Sequence, residues 1–333
     1  MLRSISKTCF AYACTWSRAR RTASMPFIIG YHRVVEDFER CSRNTIPSML
    51  ISTRMLEQHI DWLAKRYTIM SLDEIGARVD SNVPFERPAA AVTFDDGYAD
   101  VYHHAFPILR RKGIPAAVFV VTSLAGTGRP QIFDRLYRIL KNSVSSEQER
   151  FRLMTLALNV FPQDQIESLV TSMEQAGAGN AESELDEMAP LTWDMIETMH
   201  RNGVTIGSHT VRHRLLPSET IETAQQELAQ SKQTLESRLG AEVKHFAYPD
   251  GRFNPAVVRA VNSAGYRFAY SICSSRDREF PRLTIPRKVL WERACVNPLG
   301  RFSPSIMDCH ARRIFERRGA CEHDHRKQHG TIS

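Results

Sequence analysis

AVTFDDGYAD, residues 91–100, decides how the rest of the chain is read. Extended backward to AAAVTF (89–94), it begins as an apolar run of strand length and ends in Asp95 and Asp96, followed at once by Gly97. Asp-Gly is a common turn dipeptide, so a plain turn is one reading. The other is a strand-end site where the two carboxylates do different jobs. A buried strand gains nothing from two negative charges at its tip unless something there uses them.

Outward from that strand, short apolar runs alternate with helical patterns. PFIIGYH precedes it, ending at Tyr31 and His32, and TRMLEQHIDWLAKR (53–66) spaces Leu56, Ile60 and Leu63 at helical intervals. After it come a helix over 99–112 stopped by Gly113, the strand PAAVFVV (115–121), and an irregular helical stretch over 125–190 that includes the amphipathic QIFDRLYRIL. TWDMIETMHRNG (192–203) has Thr192 as N-cap and Gly203 as stop. VTIGSH, a helix over 218–239, VKHFAYP, a helix near 254–264 and YRFAYSI complete the series. Strands alternating with helices of this length indicate βα units and a parallel sheet, either an α/β barrel or a doubly wound sheet.

The chain has 333 residues, 42% hydrophobic and 24% charged, enough for one large or two ordinary domains. Its formal charge of +7 suggests nucleic-acid or membrane binding, but the distribution argues otherwise. Residues 1–24 hold five basic and no acidic side chains, and residues 301–333 hold seven basic against four acidic ones; the stretch between carries −1. No nucleic-acid partner is expected. Solvated tails account for the charge, and adhesion of those tails to an anionic membrane surface is the alternative. Seven cysteines, at 9, 14, 41, 273, 295, 309 and 321, form no CxxC pair, which fits reduced thiols in a cytosolic protein. CFAYACTW is followed by Arg18, Arg20 and Arg21 rather than a small-residue cleavage site, and no stretch has transmembrane length. A cytoplasmic or membrane-peripheral location is expected, with an organelle transit peptide as the alternative for the leader.

Polar residues able to bind metal or move protons follow four separate apolar runs. His32 follows FIIGY, Asp95 and Asp96 follow AVTF, His209 follows VTIGS, and Asp250 follows HFAYP. In a parallel barrel the C-terminal strand ends form one face, where active sites lie. HTVRH (209–213) has the i, i+4 spacing that sets two imidazoles on one side of a helical turn, although two surface histidines spell the same pattern. Two imidazoles and one carboxylate leave a zinc-like ion an open coordination position. Such an ion polarises a carbonyl and lowers the pKa of its water. One aspartate then ligates the ion while the other accepts a proton as general base. The ion's charge offsets their mutual repulsion, and Gly97 lets the backbone turn.

TFDDGYAD together with GSHTVRH resembles the polysaccharide deacetylase family, the carbohydrate esterases that share the nodulation-type chitooligosaccharide deacetylase domain. The resemblance runs over most of residues 26–290 and takes in YHRV, AVFVV and FAYPDGRFN. It implies a distorted, TIM-like (β/α) barrel of about seven strands, with 125–190 as a helical insertion on it. On this reading residues 1–24 are a disordered basic leader, 25–311 the barrel and 312–333 a disordered, His-rich tail. The resemblance also implies one divalent metal, usually zinc, with cobalt, nickel or manganese as alternatives. Asp95 matches the family's catalytic base, and Asp96, His209 and His213 its metal ligands. The implied reaction removes an acetyl group, most often the N-acetyl of an N-acetylhexosamine, by attack of metal-bound water. The metal and a backbone N–H stabilise the oxyanion, and an acid protonates the leaving amine. The expected partner is an acetylated glycan: a polysaccharide, an oligosaccharide or a glycolipid-linked chain. Oligomeric state stays open.

Two departures from the family pattern matter. Its third motif, Arg-x-Pro-Tyr, is here Ala247-Tyr248-Pro249-Asp250, so the arginine that orients the base is missing. Arg287, in TIPRK just past the last expected strand, could supply that guanidinium or be an ordinary surface arginine. The late Leu-x-His acid also has no match. His32 in YHRV is the natural replacement, as in the exopolysaccharide-deacetylase branch, with a satisfied core histidine as the bland reading. Tyr98, Tyr248 and Asp250 are candidate substrate contacts, though packing is the commoner use of a tyrosine. Two other functions stay open: an O-acetyl-sugar esterase or small-amide hydrolase with the same machinery, and a degenerate member that binds glycan or metal without turnover.

Overall fold

A parallel sheet wrapped by helices is hidden on both faces, so its strands are apolar on both. FIIGY, AAAVTF and AAVFV are buried at every position. The computed structural model describes residues 25–178, 188–315 and 325. The leader over 1–24 and most of the tail expected from 312 onward lie outside these residues.

The strands are β1 (Phe27–Tyr31), β2 (Arg33–Val35), β3 (Leu50–Ser52), β4 (Thr68–Ile69), β5 (Ala89–Phe94), β6 (Ala116–Val120), β7 (Thr205–Ser208), β8 (His245–Ala247), β9 (Phe268–Ser271) and β10 (Ile285–Val289). The order β1-β10-β9-β8-β7-β6-β5 closes back onto β1 through parallel pairs, giving the expected distorted barrel. β4 pairs with the start of β5, and β2 and β3 form a separate parallel pair.

Register settles which side chains face inward, because alternate residues point to opposite faces. Ile28 lies opposite both Ala91 and Arg287. Ile28, Ala91, Ala117, Phe119, Ala247, Phe268, Tyr270 and Ile285 pack as one inner cluster, joined by Leu72 and Ile75 of the Leu72–Asp80 helix. The residues between them, such as Ile29, Val92, Val118 and Phe246, pack outward against the helices. Two steps along the inward parity from Ala91 lie Thr93 and then Asp95, so the alternation itself carries polar groups up the barrel axis.

The sequence misplaces two elements. YRFAYSI is not the last strand, since β10 follows it and closes the ring against β1. Pro286 hides that strand, because proline cannot donate to a ladder. The helix expected over 99–112 begins as a π-helical turn, Val101–Ala105, before becoming α-helical over Phe106–Lys112. Between β6 and β7, helices Ile132–Ser143, Glu147–Val160 and Gln163–Gln175 share an apolar cluster that includes Phe133, Tyr137, Met154, Val170 and Tyr98. Among the described residues no helix is long and apolar enough to cross a membrane. Cys41, Cys295 and Cys309 are buried and Cys273 is half-buried.

The barrel interior is tight. A Cβ on Gly207 would meet the Phe119 ring at 2.5 Å and the His245 carbonyl oxygen at 3.0 Å. Gly207→Ala is therefore expected to destabilise the fold by about 1–3 kcal/mol through overpacking. Urea denaturation should show a lower midpoint at unchanged slope; an unaltered midpoint would mean that Phe119 moves aside freely.

Candidate active site

Strands that run parallel bring their C-terminal ends to one mouth. His32 follows β1, Asp95 and Asp96 follow β5, His209 follows β7, and the Asp250 turn follows β8. The ladder continues past the strands themselves: Asp95 N–H donates to the Tyr31 carbonyl at 2.8 Å and His209 N–H to that of Val120 at 2.9 Å. These bonds fix the height at which the side chains emerge.

Arg287 lies within β10, not on the surface beyond a last strand, and is 1% exposed. Its guanidinium grips Asp95 with both arms, Nη1 to Oδ1 at 2.6 Å and Nη2 to Oδ2 at 2.7 Å, and Nη1 also donates to Thr93 Oγ1 at 3.0 Å. Below, it rests over the Phe119 ring at 5.0 Å. Gly30 lies alongside, where a Cβ would press on Val289 Cγ2 at 3.2 Å. Burial alone disfavours a charge on Asp95, but the Arg287 guanidinium outweighs it and holds the carboxyl below its usual range. A planar, bidentate pair of this kind is the geometry arginine provides and lysine does not.

Asp96, His209 and His213 converge next to it, with one candidate ligand atom from each lying within 4.8 Å of the others. Asp96 Oδ1 is 3.4 Å from His209 Nε2 and 3.3 Å from His213 Nε2. His209 Nδ1 contacts the Ala247 carbonyl at 2.7 Å, which can only accept, so Nδ1 carries the proton and a neutral ring turns a lone pair toward Asp96. Asp96 Oδ1 is buried without a hydrogen-bond partner. Acceptor facing acceptor in a buried corner calls for a cation, and one carboxylate with two imidazoles is a donor set that suits a divalent ion. The same arrangement appears in the proton affinities. Burial opposes a proton on His209, yet the facing carboxylates of Asp96 and Asp95 raise its pKa; burial pushes His213 down to about 4.

The histidines do not share a helical turn. Thr210 (φ 68°) and His213 (φ 58°) adopt left-handed backbone, and Glu227 clamps the turn by accepting from Val211 N–H at 2.8 Å and Arg212 N–H at 2.9 Å. Asp96 (φ 70°) and Asp250 (φ 52°) are left-handed as well. Strained backbone of this kind persists only where its surroundings hold it.

The remaining candidates divide. His32 is half-buried at the mouth, and its Nδ1 is buried without a hydrogen-bond partner. Asp250 is exposed and pairs with Arg252 at 2.7 Å. Tyr98 and Tyr248 are corrections, since both are 1% exposed with their hydroxyls donated, to Asp134 at 2.6 Å and to the Leu283 carbonyl at 2.8 Å. Neither presents its ring or hydroxyl to a solute. His325, taken with the tail histidines as mere composition, is buried, its Nε2 3.0 Å from Cys273 Sγ and its ring stacked on Phe253. Sequence reasoning missed Glu227, although a carboxylate between Ala224, Leu228 and Ser231 on a buried helix face is a readable signal. It also missed Arg33, whose Nε donates to Asp100 at 2.8 Å beneath the DDGYAD turn.

A polysaccharide deacetylase family model matches residues 82–269. The Bacillus subtilis protein YxkH, which bears a provisional polysaccharide deacetylase name, is 22% identical over 267 residues, covering 79% of this chain and 71% of that one. Among solved structures, the Streptococcus pyogenes deacetylase PplD, determined with acetate, superposes with a TM-score of 0.57 at 18% identity, over 86% of this chain and 97% of that one. IcaB from Ammonifex degensii gives a TM-score of 0.55 at 18% identity, over 86% and 96%. At such identities the two structures speak for the fold.

The Asp95–Arg287 pair makes a stability prediction. Asp95's pKa is lowered on folding, so the pair stabilises above the unfolded value near pH 3.9 and loses its effect as pH falls through the folded value. Arg287→Ala leaves a buried carboxylate alone and should cost about 3–5 kcal/mol at pH 7. Denaturation of metal-free protein should show that deficit shrinking as pH drops below about 4, where Asp95 takes up its proton. A deficit that stays constant with pH would mean that Arg287 serves packing alone.

Proposed function

The chain belongs to the polysaccharide deacetylase family, hydrolases acting on the amide bonds of acetylated sugars, and from that premise we propose that it removes N-acetyl groups from N-acetylhexosamine units of a glycan with the help of one divalent ion. The observation that carries this reading is the adjacency of two differently kept carboxylates, Asp95 paired to Arg287 and Asp96 turned toward two histidines.

Asp96, His209 and His213 would hold the ion, with zinc the best match to one carboxylate and two imidazoles. Bound there, it would supply Lewis acidity toward the acetyl carbonyl and toward water. Asp95 accepts the proton of the attacking water. Arg287 keeps Asp95 ionised at neutral pH and fixes its plane, so the base is ready without reorganisation. As water oxygen bonds to the acetyl carbon, the carbon–nitrogen bond breaks and His32 delivers a proton to the departing nitrogen. His32 stands half-buried at the mouth, just past the end of β1, which supports that role. The products are acetate and a free amine on the sugar. Polysaccharide, oligosaccharide and glycolipid-linked glycans all offer this group, and Asp250 lies at the rim where a flanking sugar would pass.

Asp95→Asn should retain metal while losing acetate release from N-acetylglucosamine oligomers by about 10²–10⁴-fold, the range for removal of a general base. His209→Ala should lose both. Metal content by elemental analysis and acetate by coupled assay give the two readouts. Stoichiometric metal in the wild type without acetate release from any N- or O-acetylated glycan would sink the enzymatic reading in favour of a binding protein. Release from O-acetyl sugars alone would redirect it to an esterase.

A further inference from the structure

The three helices between β6 and β7 reach the mouth through one turn. Gln131, the N-cap of the Ile132–Ser143 helix, is 3% exposed and donates from Nε2 to the backbone carbonyl of Asp96 at 3.3 Å. Asp134, 2% exposed, accepts the Tyr98 hydroxyl at 2.6 Å, and Tyr98 lies two residues beyond Asp96. Phe133 sets its ring edge-on against His213, centroid to centroid 5.3 Å. Three of the four residues from Gln131 to Asp134 therefore touch Asp96, Tyr98 or His213. Asp96 and Gly97 take φ of 70° and 71°, and a non-glycine residue there costs about 1–3 kcal/mol that other contacts must offset.

Resting on the reading that Asp96, His209 and His213 hold a divalent ion, we propose that Gln131 and Asp134 are positioning residues, and that the insertion is the outer shell of the metal site. Gln131 holds the Asp96 carbonyl from one side. Asp134 holds Tyr98 from the other, with the Arg33 guanidinium 5.1 Å over the Tyr98 ring and itself paired to Asp100. The segment from Asp96 to Asp100 is thereby gripped at both ends, and the Asp96 carboxylate is kept on its bearing toward the histidines. An outer shell of this kind raises metal affinity without touching the ion. It also explains why a helix far from the barrel axis carries a buried glutamine and a buried aspartate in its first turn, where an apolar pair would pack at lower cost.

The test uses full-length protein stripped of metal and titrated with Zn²⁺ or Co²⁺ against a chromophoric chelator. Gln131→Ala and Asp134→Ala should each weaken binding about tenfold and change the visible band of the cobalt-loaded protein. Asp134→Asn, which keeps an acceptor for Tyr98, should stay near wild type. Arg129→Ala, which removes an exposed pair with Glu167 in the same insertion, should also leave affinity and spectrum unaltered. Wild-type affinity and spectrum in both alanine variants overturn the inference, as does an equal loss in Arg129→Ala, which would signal general loosening of the insertion. If Asp134→Ala does not fold, Gln131→Ala decides alone. Wild-type protein that binds no ion overturns the parent reading and this one together; wild type that binds while the alanine variants match it overturns this one only.

Discussion

A guanidinium inside a closed barrel is the constraint from which the rest of the mouth follows. Arg287 points from β10 into an interior otherwise filled by apolar and aromatic side chains, with the rings of Phe119 and Tyr270 against its guanidinium. Unpaired, such a charge is among the most expensive things a fold can bury. Asp95 balances it, and the requirement runs both ways. A carboxylate at that depth would hold its proton, and could not accept another, without the arginine beside it. The threonine at 93 makes sense as the acceptor of a third bond from the same guanidinium.

Asp96 is kept in a different way. Its charge has no arginine, only the edges of two imidazoles, one of which is locked by the Ala247 carbonyl. Adjacent residues in sequence thus leave the strand in opposite senses, Asp95 along the inward parity and Asp96 through a left-handed residue that swings it aside. Two neighbours serve two partners because the backbone between them is strained.

Much of this was legible in the sequence. Apolar runs ending in polar residues indicated a parallel sheet with a polar strand-end face, and the family resemblance of the motifs chose a barrel over a doubly wound sheet. The spelling of DDG and HTVRH pointed to the right cluster, but through the wrong local geometry. Spacing of four suggested a helical turn, while the chain uses left-handed residues that only the clamp by Glu227 makes tolerable. Arg287 was named without its place, because Pro286 disguises β10 and because nothing local shows that residues 192 apart share a barrel face. Tyr98 and Tyr248 misled for the opposite reason. An aromatic next to a site motif looks like a sugar platform until its burial is known, and here both hold the scaffold. The inserted helix gave no sign of its bearing on the mouth, since Gln131 and Asp134 look like ordinary cap and first-turn residues until the tertiary fold sets them against Asp96 and Tyr98.

The closing position of β10 has a consequence for the order in which the molecule comes into being. Asp96, His209 and His213 lie on segments that leave the ribosome well before residue 287, and Asp95's own partner is delivered by the strand that completes the ring. Contacts this distant along the chain form late, because a long loop must be closed before they repay it. A nascent chain thus gathers Asp96, His209 and His213 while Asp95 still lacks its counter-charge. The ion pair then arrives in one step, with the last strand, so that closing the barrel and balancing its buried carboxylate are the same event.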